Sequence, residues 1–174
     1  MLDDTEAEVS RSTAALHAWA EQLPEPVCEA VMSADAASPV LFRAVPAVRH
    51  ELSPLRAAVT EWAQGFGFDR DTLADLVLAV DEAVTNAIEH GYRNQPAGIV
   101  RFFAGHSPVE KAVNVVVADS GSWRPPPSEP GVRGRGLSII RAVTDRFDLH
   151  HGEHGTVALL SWKLPGEGAG GPAG

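Results

Sequence analysis

Cysteine is almost absent from the chain. Cys28 is the only one, so no intrachain disulfide can form, and a reducing compartment is expected. Positive charge is also scarce. Fourteen Lys and Arg stand against 23 Asp and Glu, for a formal net charge of −9. That balance argues against a nucleic-acid surface, which needs a basic stripe to neutralise phosphates. An anionic ligand must then be held locally, by backbone N–H groups, a metal ion or a few arginines. Long apolar runs are missing, and none approaches the length of a membrane span. Asp3, Asp4, Glu6 and Glu8 stand where a signal peptide would carry basic and apolar residues. No Walker A motif is present, which disfavours a P-loop fold. The expectation is a soluble cytoplasmic protein with no membrane and no direct nucleic-acid partner.

What remains suits a globular fold. Hydrophobic residues make up 44% of 174 residues, enough for one domain with a single sizeable core. Residues 1–39 are set apart as an N-terminal arm, partly helical. A weak apolar side (Val9, Ala15, Leu16, Trp19) ends at Pro24 and Pro26, and a short apolar stretch follows from Val27 to Met32. Residues 166–174 form a flexible tail with nothing to bury. Between them, residues 40–165 carry the periodicities of a domain. Val40–Val45 reads as a strand. Ser53-Pro54 starts a helix that Gly65 and Gly67 stop. Asp69 or Asp71 can cap the next helix, which runs to about Tyr92. Ile99–Phe103 and Ala112–Ala118 read as strands, Gly136 to about Arg146 as a helix, and Phe147–His151 and Thr156–Leu164 as a final hairpin. This order predicts an α/β fold: a two-layer α/β sandwich with helices on one face of a mixed sheet.

Three segments carry chemistry. In the second helix of the domain, Glu82, Asn86 and His90 recur every four residues and so share one stripe. The opposite stripe, Leu73, Leu76, Val77, Val80, Ala83, Val84, Ala87 and Ile88, is apolar. In the second segment an apolar strand runs into Asp119-Ser-Gly121-Ser-Trp123. A carboxylate at such a strand end is a good acceptor for an exocyclic amine, and Gly121 lets the backbone pass close to a flat ring. In the third, Arg133-Gly134-Arg135-Gly136-Leu137 precedes a helix whose free N–H groups and dipole favour phosphate. Taken singly, each also reads as ordinary structure: a solvated helix face, an Asp-Ser-Gly turn, a flexible loop before a helix. Their joint occurrence, in the order one site needs, favours a nucleotide site.

Other candidates are weaker. His150, His151 and His154 lie near a turn with Glu153, but strand alternation sends His150 and His151 to opposite faces, which disfavours a metal site. Trp19, Trp62 and Trp162 read as packing residues, and Cys28 as a small buried hydrophobe.

The three segments resemble the N, G1 and G2 boxes of the GHKL (histidine kinase-like) ATPase superfamily. Within it, the chain most resembles the bacterial anti-sigma-factor serine kinases, over roughly residues 40–164. The resemblance implies a Bergerat-type ATP-binding fold. It implies that Glu82 is the general base and that Asn86 is the ligand of a Mg²⁺ ion bridging the phosphates. His90, the third residue of the N box, joins the nucleotide set. Asp119 is implied as the adenine-amine acceptor, with Gly121 beside the ring and Trp123 following in the same box. Gly134, Arg135, Gly136 and Leu137 correspond to the phosphate-facing end of the nucleotide lid. Thr156 corresponds to the threonine that helps hold Asp119 and a water. The implied cofactors are ATP or ADP and Mg²⁺. The implied partners are a sigma factor, which is sequestered, and a STAS-type anti-anti-sigma protein, which is phosphorylated on serine. Partner contact is expected on the helix pair before the N box and near the lid. The resemblance also allows a homodimer. The arm before residue 40 has no counterpart in the minimal family domain, and the lid between Gly121 and Gly134 is short and proline-rich. The alternative is a partner-binding switch, with or without nucleotide, that lacks kinase activity. The catalytic half of a histidine kinase is disfavoured, because no phospho-acceptor helical hairpin lies upstream.

Overall fold

The computed structural model describes residues 12–92, 96–121, 135–152 and 155–166. Two helices come first, α1 over residues 12–20 and α2 over Glu25–Met32. Strand β1 (Leu41–Pro46), a short 3₁₀ turn at Arg49–Glu51, and helices α3 (Leu52–Gln64) and α4 (Arg70–Asn86) follow. Next come β2 (Ile99–Ser107), β3 (Ala112–Asp119), α5 (Arg135–Val143), β4 (Arg146–Gly152) and β5 (Gly155–Lys163).

The five strands form one sheet in the order β1-β2-β3-β5-β4. The layered sandwich matches the sequence expectation, but the sheet is not mixed. All four pairings are antiparallel. Strands β3 and β4 are joined through α5. Those two strands point the same way, but β5 inserts between them and pairs antiparallel with both.

One face of the sheet holds the main core. Val113, Val115 and Val117 of β3 and Ala158, Leu160 and Trp162 of β5 pack there against Leu55, Val59 and Trp62 of α3, Leu76, Val80 and Val84 of α4, and Ile140 of α5. The apolar stripes of the three helices, spaced three and four residues apart, supply this layer. Trp62 and Trp162 pack as expected and bury their indole N–H groups on carbonyl partners, Pro39 and Val143.

Over residues 40–165 the helices lie on one face, as expected, and the N-terminal arm covers the other. Leu16, Trp19 and Ala20 of α1 and Val27, Ala30 and Val31 of α2 pack on the opposite face, against Phe103, Val116, Ala118 and Leu159. Cys28 borders this second cluster. The sequence carried a signal for it. Every residue of β3 is buried, and Ala-Val-Asn-Val-Val-Val-Ala-Asp lacks the polar alternation of a strand with one wet face. Strand β2 also runs past its expected end at Phe103. Gly105 leaves room there for the Phe103 ring and for Ala34.

Candidate functional site

The site is built around the C-terminal end of α4. Its N-terminal end is pinned by Asp69, whose carboxylate accepts the Thr72 N–H at 2.7 Å. That bond is the main cause holding the Asp69 carboxyl below its ordinary pKa. Leu76, Ala79, Val80, Ala83 and Val84 then turn to the core, which leaves Glu82 and Asn86 half-exposed on the other side. The four-residue period stops at Asn86. The helix widens into a π turn over Ala87–Gly91, which contains His90. A π turn bonds i to i+5, so the backbone period changes after Asn86.

The first turn of α5 comes up against this stripe. A Cβ added at Gly136 would lie 2.8 Å from Glu82 Oε2 and 3.2 Å from Asn86 Nδ2. Only a residue without a side chain leaves that space open. Arg135 opens the helix, and Leu137 packs against the main core. The N-terminal end of α5, with its free N–H groups, therefore adjoins a carboxylate and a carboxamide.

The second half of the site lies where β3 leaves the sheet. Asp119 is 8% exposed. Its Oδ1 accepts the Gly121 N–H at 2.9 Å. Thr156, its cross-strand partner on β5, also bonds the carboxylate through its backbone. Burial raises the Asp119 pKa above the ordinary value, and the two N–H bonds oppose part of that rise. The result is a fixed acceptor in a dry corner. A Cβ at Gly91 would stand 2.8 Å from Asp119 Oδ1, and one at Gly121 only 1.8 Å from the Gly91 carbonyl oxygen. The end of the π turn thus presses directly on the Asp119–Gly121 turn.

The structure brings Glu82, Asn86 and Gly136 together, and separately Asp119, Gly121 and Thr156. The π turn links the two groups. Trp123 and Gly134 lie outside the described residues. Two contributors escaped the sequence reading. The sequence reading ended the helix at about Tyr92 and gave neither Gly91 nor Tyr92 a role. Tyr92 is the only tyrosine of the chain, and its hydroxyl bonds the Ile99 carbonyl at the start of β2 and the Ser120 N–H after β3. An open groove of about 460 Å³ lies elsewhere, between α3 and α4, lined by Thr60, Leu73, Val77 and Leu78 and flanked by Arg56 and Asp81. Among the described residues, none of the expected site residues lines it. Among the described residues, no helix is long and apolar enough to cross a membrane.

Known proteins match this arrangement. The profile of the histidine kinase-like ATPase domain covers residues 45–162. The serine-protein kinase RsbW of Oceanobacillus iheyensis is 26% identical over 132 residues, which is 67% of this chain and 82% of that protein. The RsbW of Bacillus thuringiensis is 24% identical over 133 residues, 68% of this chain and 81% of that one. Among solved structures, the RsbU and RsbW domains of Rv1364c from Mycobacterium tuberculosis superpose with a TM-score of 0.60 at 25% identity. The match covers 94% of this chain and 48% of that one, so the chain spans about half of that longer protein. On its three boxes, its sandwich and this match, the chain belongs to the histidine kinase-like ATPase domain family.

Proposed function

We propose that the chain is an ATP-dependent serine protein kinase and anti-sigma factor. It sequesters a sigma factor and phosphorylates a serine of a STAS-type anti-anti-sigma antagonist in the cytoplasm. The observation that carries this reading is the juxtaposition of Glu82, Asn86 and the bare Gly136 at the start of α5. A nucleotide binder needs a helix N-terminus for phosphate. It does not need a free carboxylate beside it, and a kinase does. The two RsbW relatives, named as serine-protein kinases, support the same choice.

The residues fit ATP and Mg²⁺. The space left by Gly136 borders the Asn86 carboxamide, with Nδ2 at 3.2 Å and Oδ1 at 3.5 Å from the added Cβ, and such an oxygen is a neutral ligand of the kind Mg²⁺ accepts while keeping most of its waters. In this reading Asn86 holds the ion, and the N–H groups of α5, with Gly134 and Arg135, hold the phosphates. Bound Mg²⁺ neutralises charge on the transferring phosphoryl group. Asp119 accepts the adenine amine, Gly121 and Trp123 flank the ring, and Thr156 orients Asp119. His90 and Leu137 complete the frame. Glu82 takes the proton of the incoming serine hydroxyl. The pair α3 and α4, with its open groove, offers a face for protein partners.

Titration calorimetry with ATP and ADP, with and without Mg²⁺, is the first test, followed by transfer of labelled phosphate to serine on STAS-domain proteins. Mg²⁺-dependent binding with transfer supports the reading. Binding without transfer to any of them favours a nucleotide-dependent switch, and no binding removes the nucleotide site.

A further inference from the structure

We propose that Tyr92 is a positioning residue of this site, which locks the adenine-side acceptor to the end of α4. The inference rests on the nucleotide-binding reading above. The Tyr92 hydroxyl donates to the Ile99 carbonyl at 2.8 Å and accepts the Ser120 N–H at 2.9 Å. One oxygen therefore ties the first residue of β2 to the turn that leaves β3. Ser120 lies between Asp119 and Gly121, and the next N–H along the chain is the one bonded to Asp119 Oδ1. Holding the Ser120 peptide thus holds the donor that aims the Asp119 carboxylate.

The ring is held as firmly as the hydroxyl. A Cβ at Gly98 would come within 2.1 Å of Tyr92 Cε1, so the ring lies flush on that backbone. Tyr92 also follows the π turn directly, and Gly91 packs on the Asp119 carboxylate. Any shift of the turn that carries His90 is transmitted to Asp119 by two contacts, one through Gly91 and one through Tyr92. Asn86 and Glu82 lie before the π turn on α4 and do not depend on the hydroxyl. The role assigned to Tyr92 is therefore recognition of the base, not transfer of the phosphoryl group.

The test uses the full chain and its Tyr92→Phe variant, which removes the hydroxyl and keeps the ring. Affinities for ATP and inosine triphosphate are measured by calorimetry, and phosphoryl transfer at saturating ATP is measured beside them. Inosine triphosphate carries a carbonyl in place of the exocyclic amine, so the ratio of the two affinities reports how well Asp119 is aimed. Tyr92→Phe is expected to lower ATP affinity about three- to tenfold, the scale of one lost hydrogen bond with its N–H partner left open. Inosine triphosphate affinity changes less, and kcat stays the same. A merely structural tyrosine would lower the unfolding temperature and leave the ratio alone. If Tyr92→Phe does not fold, Gly98→Ala serves instead, because its methyl must push the ring off the same backbone. An unchanged ratio in the folded variant overturns the role of Tyr92 and leaves the nucleotide site standing. Absence of ATP binding by the unaltered chain overturns both.

Discussion

The two faces of the sheet are buried by different means and serve different ends. On one face α3, α4 and α5 form a continuous apolar layer, and the two helix ends that emerge from it, those of α4 and α5, meet at the candidate site. On the other face α1 and α2 cover a smaller cluster centred on Phe103, Val116 and Leu159, and among the described residues no expected site residue belongs to it. The same strands serve both. In β3, Val115 and Val117 face the site layer, while Val116 and Ala118 face the arm. Strand alternation lets one segment carry two independent surfaces, so damage to one need not reach the other.

That independence can be broken or sharpened by substitution. The largest effect is expected at Glu82. Glu82→Ala should leave ATP affinity and folding intact while transfer falls by about 10²–10⁴; unchanged phosphorylation of the true partner would remove its role as base. On the arm side, Trp19 is 7% exposed and stacks on Phe42 with ring centroids 5.2 Å apart. Trp19→Ala should cost about 3 kcal/mol in urea unfolding, as for other buried aromatics cut to alanine. ATP affinity measured on the folded variant should not change. A drop in affinity as large as the loss of stability would show that the faces are coupled.

A smaller and more selective effect is expected at Asn86. Asn86→Ala should abolish the gain in ATP affinity that Mg²⁺ confers and leave Mg²⁺-free binding near its original value. A calorimetric titration with wild-type Mg²⁺ dependence would exclude Asn86 as the ligand. The smallest effect concerns Asp119. Burial raises its pKa in the folded chain, so the folded state binds its proton more tightly than the unfolded state does. Stability from this group is therefore fully present below the ordinary aspartate value of 3.8 and is lost as pH rises through the folded pKa. Asp119→Asn should unfold at a higher temperature than the parent near neutral pH, with the gap closing on acidification. A gap that widens as pH falls would mean that the two N–H bonds outweigh burial.

Much of the fold was legible because periodicity reports burial directly. The stripe of α4, the Asp69 cap and the closing β4–β5 hairpin all lie within a few residues of where the sequence put them. The shared face of Glu82 and Asn86 was legible too, because an α-helix converts a spacing of four into one stripe. The π turn itself was not legible, since nothing local in Ala-Ile-Glu-His-Gly announces one. That turn satisfies contacts made by Gly91 and Tyr92 with β2 and with the turn after β3, all distant in sequence.

The sequence by itself determined the class of fold, the helical stripe shared by Glu82 and Asn86, and the net negative charge. Each follows from composition or from spacing along one element. Only the tertiary structure decided that the sheet is antiparallel throughout, that the N-terminal helices form a third layer, and that Gly91 and Tyr92 join the two halves of the site. The physical reason is the same in all three cases. Strand order, the covering of a face and the fit of one backbone against another depend on which distant surfaces meet, and periodicity within a segment shows that a surface is apolar without naming its neighbour.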